Sequence, residues 1–296
     1  MPSDIISVAP DRELEIIIEG DGRDVLVYHH GTPAAGPSDP TLVNAAVQAG
    51  FQLVQIVRPG YGRSTRQSGR TVADVAALTK AAVAHVTGSA DTPFVTLGWS
   101  GGGPHALATA ALISTCAAAV SFAGVGPFDA ADLDFLAGMG QDNIDEFGAA
   151  VAGMTQLQDF MEAMYPAMQS VSAADINDAL ASLLPAVDRE FLADGYAEAL
   201  ASSFRYSLAH GYWGWADDDI AFTAPWGFAL DDITVPAHIW QGADDLMVPF
   251  AHGQWLAENI PAAVPHLLQG EGHLSLAARF DDVLADLRTA LDAVQQ

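Results

Sequence analysis

Gly98-Trp99-Ser100-Gly101-Gly102 is the stretch whose reading decides the fold. Ahead of it, Pro93-Phe94-Val95-Thr96-Leu97 is short, apolar and rich in β-formers, and it follows the turn-forming Gly88-Ser89-Ala90-Asp91-Thr92. Behind it, Gly103 to Leu112 is alanine-rich and helix-prone, with Pro104 early enough to sit in a first turn. A strand running through so tight a bend into a helix holds Ser100 at the tip, and only small neighbours fit beside it. In that setting G-x-S-x-G predicts a nucleophile elbow. The helix start turns free N–H groups and its positive dipole end toward negative charge on a bound acyl group.

Outward from the elbow the chain alternates. Ile5 to Val8 and Glu13 to Glu19 predict an opening hairpin, and Asp24-Val25-Leu26-Val27-Tyr28-His29-His30 reads as a strand buried on both faces. Thr41 to Gly50 predicts a helix, Phe51 to Val57 a strand, Thr71 to Val86 a helix capped by Thr71, and Ala117 to Ala123 a further strand. Strand and helix at this spacing imply right-handed crossovers and a parallel sheet covered on both faces. From Phe128 to Asp232 the alternation stops; Asn143 to Met164 and Ala173 to Leu184 predict helices, and no buried strand is evident. The alternation resumes with a strand at Val235 to Gly242, a helix at Pro249 to Asn259, a strand at Val264 to Leu268 and a closing helix from Leu276 to Val294. The expected organisation is therefore a first core part over residues 1–127, a helical insertion over 128–232 and a second core part over 233–296.

Composition narrows the partners. The chain of 296 residues is half apolar and can bury a large core. Its 37 acidic residues against 11 basic ones give a formal charge of −26, a balance that repels nucleic acid and anionic membranes. The single cysteine, Cys116, excludes an intramolecular disulfide and reads as a small buried hydrophobe. Neither a secretory signal nor a membrane-length apolar run is evident, so a cytoplasmic location is expected. The expected partner is a small-molecule substrate, with no nucleic acid and no membrane; the oligomeric state is open.

A serine is hardly nucleophilic alone and needs a base to take its proton and an acid to orient that base. In Gly270-Glu271-Gly272-His273-Leu274-Ser275 a histidine stands in a loop straight after the last strand, a place that suits the base. His30 reads as a packing and hydrogen-bonding residue, and His105, on the elbow helix, as core. Asp244 and Asp245, adjacent in the loop after the penultimate strand, point in different directions, so one of them can face His273. The oxyanion needs preorganised donors; the backbone N–H groups of Gly101 and of Thr32, in His30-Gly31-Thr32-Pro33, are the candidates. A metal at the tandem aspartates lacks clustered partner ligands, so no metal and no other cofactor is expected.

Taken together, His30-Gly31-Thr32-Pro33, Arg58-Pro59-Gly60-Tyr61-Gly62-Arg63-Ser64, the Ser100 elbow, Gly242 to Pro249 and Gly270-Glu271-Gly272-His273 resemble the α/β-hydrolase superfamily, and its capped serine members in particular. The resemblance implies an α/β-hydrolase fold: an eight-stranded, mostly parallel sheet with the second strand antiparallel, helices on both faces and the insertion as a helical cap. It also favours Asp245 over Asp244, because Asp245 holds the place in Gly-x-x-Asp-x-x-Val-Pro that resembling sequences use. Serine at 100 argues against the haloalkane dehalogenases and epoxide hydrolases, which use aspartate there.

The expected catalytic residues are thus Ser100, Asp245 and His273, cleaving a small to medium carboxylic ester through an acyl-enzyme. An aminopeptidase of the proline iminopeptidase type and a ligand receptor retaining the triad are the alternatives. Trp99 in the elbow and Phe128, Met139, Trp213 and Trp215 in the cap are expected to touch substrate. Helically spaced Met161, Met164 and Met168 read as cap core, and Asp217-Asp218-Asp219 as a solvated turn or helix start that could otherwise meet a cationic substrate.

Overall fold

The computed structural model describes residues 3–36 and 38–296. Its chain order opens with β1 (Ser3–Ala9), β2 (Arg12–Glu19), β3 (Asp24–His29), α1 (Pro40–Gln48), β4 (Phe51–Val57), α2 (Val75–Thr87), β5 (Phe94–Trp99), α3 (Gly103–Leu112) and β6 (Cys116–Phe122). The helices α4 (Gln141–Ala152), α5 (Met154–Met168), α6 (Ile176–Ala179), α7 (Ala186–Phe191), α8 (Ala197–Ser207) and α9 (Trp213–Phe222) follow. The chain closes with β7 (Ala237–Gly242), α10 (Phe250–Asn259), β8 (Ala263–Leu268) and α11 (Phe280–Gln295).

The eight strands form one sheet in the order β1-β2-β4-β3-β5-β6-β7-β8. Strand β2 runs antiparallel to both β1 and β4, and every pairing from β4 to β8 is parallel. A strand buried on both faces needs apolar residues in both phases of its alternation, and the strands divide accordingly. Leu26, Leu53, Val95, Leu97, Val120 and Phe122 face one layer with α1 and α11. Val25, Val27, Val54, Ile56, Ala119 and Ile239 face the other with α2, α3 and α10. Among the described residues no helix is long and apolar enough to cross a membrane.

Between β6 and β7 the described residues hold helices and no strand. The expected helix over Asn143 to Met164 is two helices, broken at Gly153, and that over Ala173 to Leu184 is reduced to the single turn of α6. The Thr71 cap stands, but on a 3₁₀ turn, Val72–Asp74, that precedes α2; the Thr71 N–H donates to the Asp74 carboxylate at 2.7 Å.

Candidate active site

Ser100 lies at the turn from β5 toward α3 with φ of 54°, in the left-handed region, a strain of roughly 1–3 kcal/mol for a residue with a Cβ. Its neighbours explain why the bend is possible. A Cβ at position 98 would stand 2.0 Å from the Gly102 carbonyl oxygen, and one at position 102 would stand 2.0 Å from that of His29. Glycine at both ends lets the turn press against β3 while the serine projects from it.

At the same carboxyl-terminal edge of the sheet the loops after β7 and β8 meet. The His273 Nδ1–H donates to Asp245 Oδ2 at 2.8 Å, and both residues are buried. Asp245 also accepts from the backbone N–H groups of Met247 and Val248, each at 2.8 Å, and from Gln241 Nε2 at 3.0 Å. Asp244 is exposed and turned away. Burial opposes a charged imidazole at 273, but the Asp245 charge and hydrogen bond, with Asp188 behind, outweigh it and raise its pKa above the ordinary 6.5.

Asp188 carries no recognisable signal in the sequence. It reaches from α7 with its side chain buried, and it accepts from three successive backbone N–H groups: His273 at 2.8 Å, Leu274 at 3.0 Å and Ser275 at 2.9 Å. Those donors replace the water that burial removes. A Cβ at Gly272 would lie 2.4 Å from Asp188 Oδ1, so this clamp requires glycine there.

A second clamp holds the loop after β3. Arg58 donates from Nη1 to the His30 carbonyl, and from Nη2 to the Gly31 carbonyl at 2.9 Å and to Thr32 Oγ1 at 3.0 Å. Thr32 Oγ1 donates in turn to Asp218 Oδ2 at 2.8 Å. With two successive carbonyls fixed on the arginine, the backbone of the loop has one orientation. His30 keeps the hydrogen-bonding role expected of it: its Nε2 accepts from the Arg58 N–H, which leaves Nδ1–H to donate to the Gly31 carbonyl at 2.7 Å. His105 is buried, with Nδ1 at 2.9 Å from the Gly101 carbonyl oxygen.

Asp217-Asp218-Asp219 is not a solvated turn. The three residues lie on α9 with exposures of 3%, 0% and 0%. Asp218 meets Arg58 at 2.6 Å, Arg70 at 2.6 Å and the Tyr61 hydroxyl at 2.8 Å; Asp217 pairs with Arg66 at 2.8 Å. These arginines belong to the segment after β4, and they convert an acidic run that would otherwise need water into a buried ion-pair network.

Ser100, His273 and Thr32 open onto one cavity of about 170 Å³, beneath the helices of the insertion. The Ser100 hydroxyl and His273 face this cavity without a hydrogen bond between them. Trp99 and Trp215 line the cavity as expected, but Phe128, Met139 and Trp213 do not. Phe128 packs on Phe135 with ring centroids 5.2 Å apart, Met139 is buried in the core layer of α10, and Trp213 lies under the Arg66 guanidinium at 3.8 Å. Their place is taken by Phe160, Met164, Met168, Leu180, Leu183, Tyr196, Leu200 and Phe204. Met164 and Met168, one turn apart on α5, therefore form cavity wall as well as core of the insertion.

One wall is acidic. Glu146 on α4 lines the cavity and accepts from Trp215 Nε1–H at 2.6 Å. Behind it Asp219 is buried, and neither of its carboxylate oxygens has a donor. Two carboxyl groups side by side can hydrogen-bond only if one keeps its proton. Burial pushes Glu146 up to about 7, and burial with the Glu146 charge raises Asp219 well above the ordinary carboxylate range.

Comparison with known proteins agrees with this fold. A family model described as alpha/beta hydrolase fold matches residues 24–278. No curated protein matches the chain in sequence. Among solved structures, an alpha/beta hydrolase fold protein from Nakamurella multipartita shares 24% identity, with a TM-score of 0.66 over 99% of this chain and 100% of that one. The enol-lactonase from Burkholderia xenovorans LB400 shares 18% identity, TM-score 0.66, over 98% and 100% of the two chains. A thermophilic esterase from Thermogutta terrifontis shares 18% identity, TM-score 0.65, over the whole of both.

Proposed function

Because the chain belongs to the α/β hydrolase fold family, we propose that it is a serine hydrolase that cleaves small to medium carboxylic esters through an acyl-enzyme. The observation that carries this reading is the convergence of a strained, cavity-facing Ser100 with a His273 already fixed on Asp245 at 2.8 Å. Ser100 Oγ attacks the ester carbonyl as its proton passes to His273 Nε2; Asp245 holds the tautomer and stabilises the imidazolium. The N–H groups of Gly101 and Thr32 bind the oxyanion. His273 then returns the proton to the leaving alcohol, and water releases the acid by the reverse sequence. The helical insertion acts as a cap whose methionine, leucine and phenylalanine wall accepts the acyl chain.

A fluorophosphonate probe used beside p-nitrophenyl esters of rising chain length tests the reading. One probe per chain, attached at Ser100, and steady turnover that declines as the acyl chain outgrows the cavity are expected. A folded protein that takes up no probe would overturn it.

The base must be neutral to act, so kcat/KM rises with pH through the His273 pKa. In Asp245→Asn the charge that raises this pKa is gone, and the rising limb moves to lower pH as the rate falls on the order of 10⁴-fold. A pH profile of the two proteins checks the shift; an unmoved limb would mean that His273 is not the group titrating.

A second reading, hydrolysis of aminoacyl esters or amides, is favoured by Glu146 at the cavity wall, whose carboxyl oxygens take only Trp215 Nε1–H and the proton held with Asp219. A substrate ammonium group would supply the missing donors. On this reading Glu146→Gln lowers kcat/KM for an α-amino ester about ten- to a hundredfold, the loss of one charged hydrogen bond, and leaves the des-amino ester unchanged. Equal effects on both esters would leave the simple ester reading standing alone.

A further inference from the structure

We infer that the chain carries a binding site for a divalent transition-metal ion of the zinc class at the sheet edge, formed by His238, His266 and Asp286. The three residues come from β7, β8 and α11, and neither local spacing nor any motif associates them. Yet three ligand atoms converge: His238 Nδ1 lies 3.2 Å from His266 Nε2, and each lies 3.3 Å from Asp286 Oδ2. Zinc bonds of about 2.0–2.1 Å in a tetrahedron place neighbouring ligand atoms about 3.3–3.4 Å apart. The observed triangle is therefore already the face of a tetrahedron around one ion.

The imidazoles are aimed for this role. Their centroids are 5.4 Å apart with 26° between the planes, and their nearest nitrogens are 3.2 Å apart, so the rings meet by their nitrogen-bearing edges and not face on face. His266 cannot swing freely, because its ring lies flat on Trp240 at 4.0 Å with 3° between the planes. Asp282 stands one turn before Asp286 on α11 and adds negative charge beside His266. Two nitrogens and a carboxylate oxygen select zinc, copper or nickel over the oxygen-seeking magnesium and calcium. The side chains of His266 and Asp286 are 24% and 33% exposed, which leaves a route for the ion and a place for water as fourth ligand.

The site lies outside the cavity that holds Ser100, and none of its three residues lines that cavity. Strand β8 is the last of the sheet, and none of its residues is fully buried. An ion held here would tie that edge to β7 and α11. It departs from the sequence-based expectation of no metal, which was drawn from the tandem aspartates alone.

The test is calorimetric titration of the metal-stripped full chain with zinc chloride, repeated with cobalt chloride and read by visible absorption. One zinc per chain is expected, with the intense cobalt bands of a four-coordinate site and a zinc-dependent rise in Tm. His266→Gln and Asp286→Asn, both at partly exposed positions, should each weaken zinc binding on the order of tenfold or more and keep the metal-free Tm and ester turnover of the parent. Absence of uptake, or wild-type affinity retained by either folded variant, would overturn the site. Neither result bears on the ester reading, which the probe at Ser100 decides separately.

Discussion

Ser100→Ala is expected to lower ester turnover on the order of 10⁶-fold, the loss typical when a nucleophile that works as a unit with its base is removed. The residue is held at φ of 54° only because Gly98 and Gly102 allow the turn to press on its neighbours. Alanine keeps the Cβ and the backbone strain and deletes only the oxygen. The variant should therefore melt within about 0.5 kcal/mol of the parent, as surface-type changes without packing loss do, while probe labelling disappears. His273→Ala should lose as much, and the double variant little more, because the two act on one proton transfer. Stopped or continuous assays with a p-nitrophenyl ester measure all three. Turnover in Ser100→Ala within tenfold of the parent would place the nucleophile elsewhere.

Asp218→Ala should have the largest effect on stability. The substitution leaves Arg58 and Arg70, with side-chain exposures of 1% and 3%, as buried cations facing a vacancy. Breaking such a pair by removing one partner costs about 3–5 kcal/mol, or roughly 10 °C in Tm for a chain of this size. Activity should fall with it, since Arg58 fixes the loop that presents the Thr32 N–H. The effect has a pH signature. Burial works against the Asp218 charge, but Arg58 and Arg70 outweigh it and hold the carboxyl far below its ordinary range. A depressed folded-state pKa contributes stability that is present above the unfolded value, near 3.8, and is lost as pH falls toward the folded one. The gap between parent and variant should be full at neutral pH and narrow on acidification. Thermal melts at several pH values decide it; a gap below about 1 kcal/mol at neutral pH would mean that water or another carboxylate relieves the arginines.

The contrast between the two predictions marks what local sequence can carry. The elbow, the β7 loop and the β8 loop are each written in fewer than ten consecutive residues, because a bend, a turn and a strand end are short-range objects. Alternation of apolar residues likewise places every strand of the sheet to within a few residues. The clamps are different. Asp218 and Arg58 are 160 positions apart, and Asp188 and His273 are 85 apart. Nothing in the window around Asp217-Asp218-Asp219 reveals that three arginines from another segment will bury it, so water is the natural partner to expect. The same holds for Phe128, Met139 and Trp213: size and polarity mark them as apolar, while which helix face turns to the cavity depends on packing between elements distant in the chain. Trp99 was legible because it is fixed to the elbow itself.

The insertion is commonly imagined as a module, something that sets which substrate enters and can be traded for another. Asp188 and Asp218 give it a different status here. One grips the backbone around His273, the other grips the arginine that orients the loop of Thr32, and both belong to insertion helices. On the proposed mechanism, the loops that carry His273 and Thr32 both take their orientation from the insertion. A transplant from a relative that lacked carboxylates at these two places would remove more than selectivity: it would strand two cations and free a loop. Substitutions at Met164, Met168, Leu180 or Phe204, which line the cavity away from the two anchors, should therefore change the shape of the cavity and leave both loops in place.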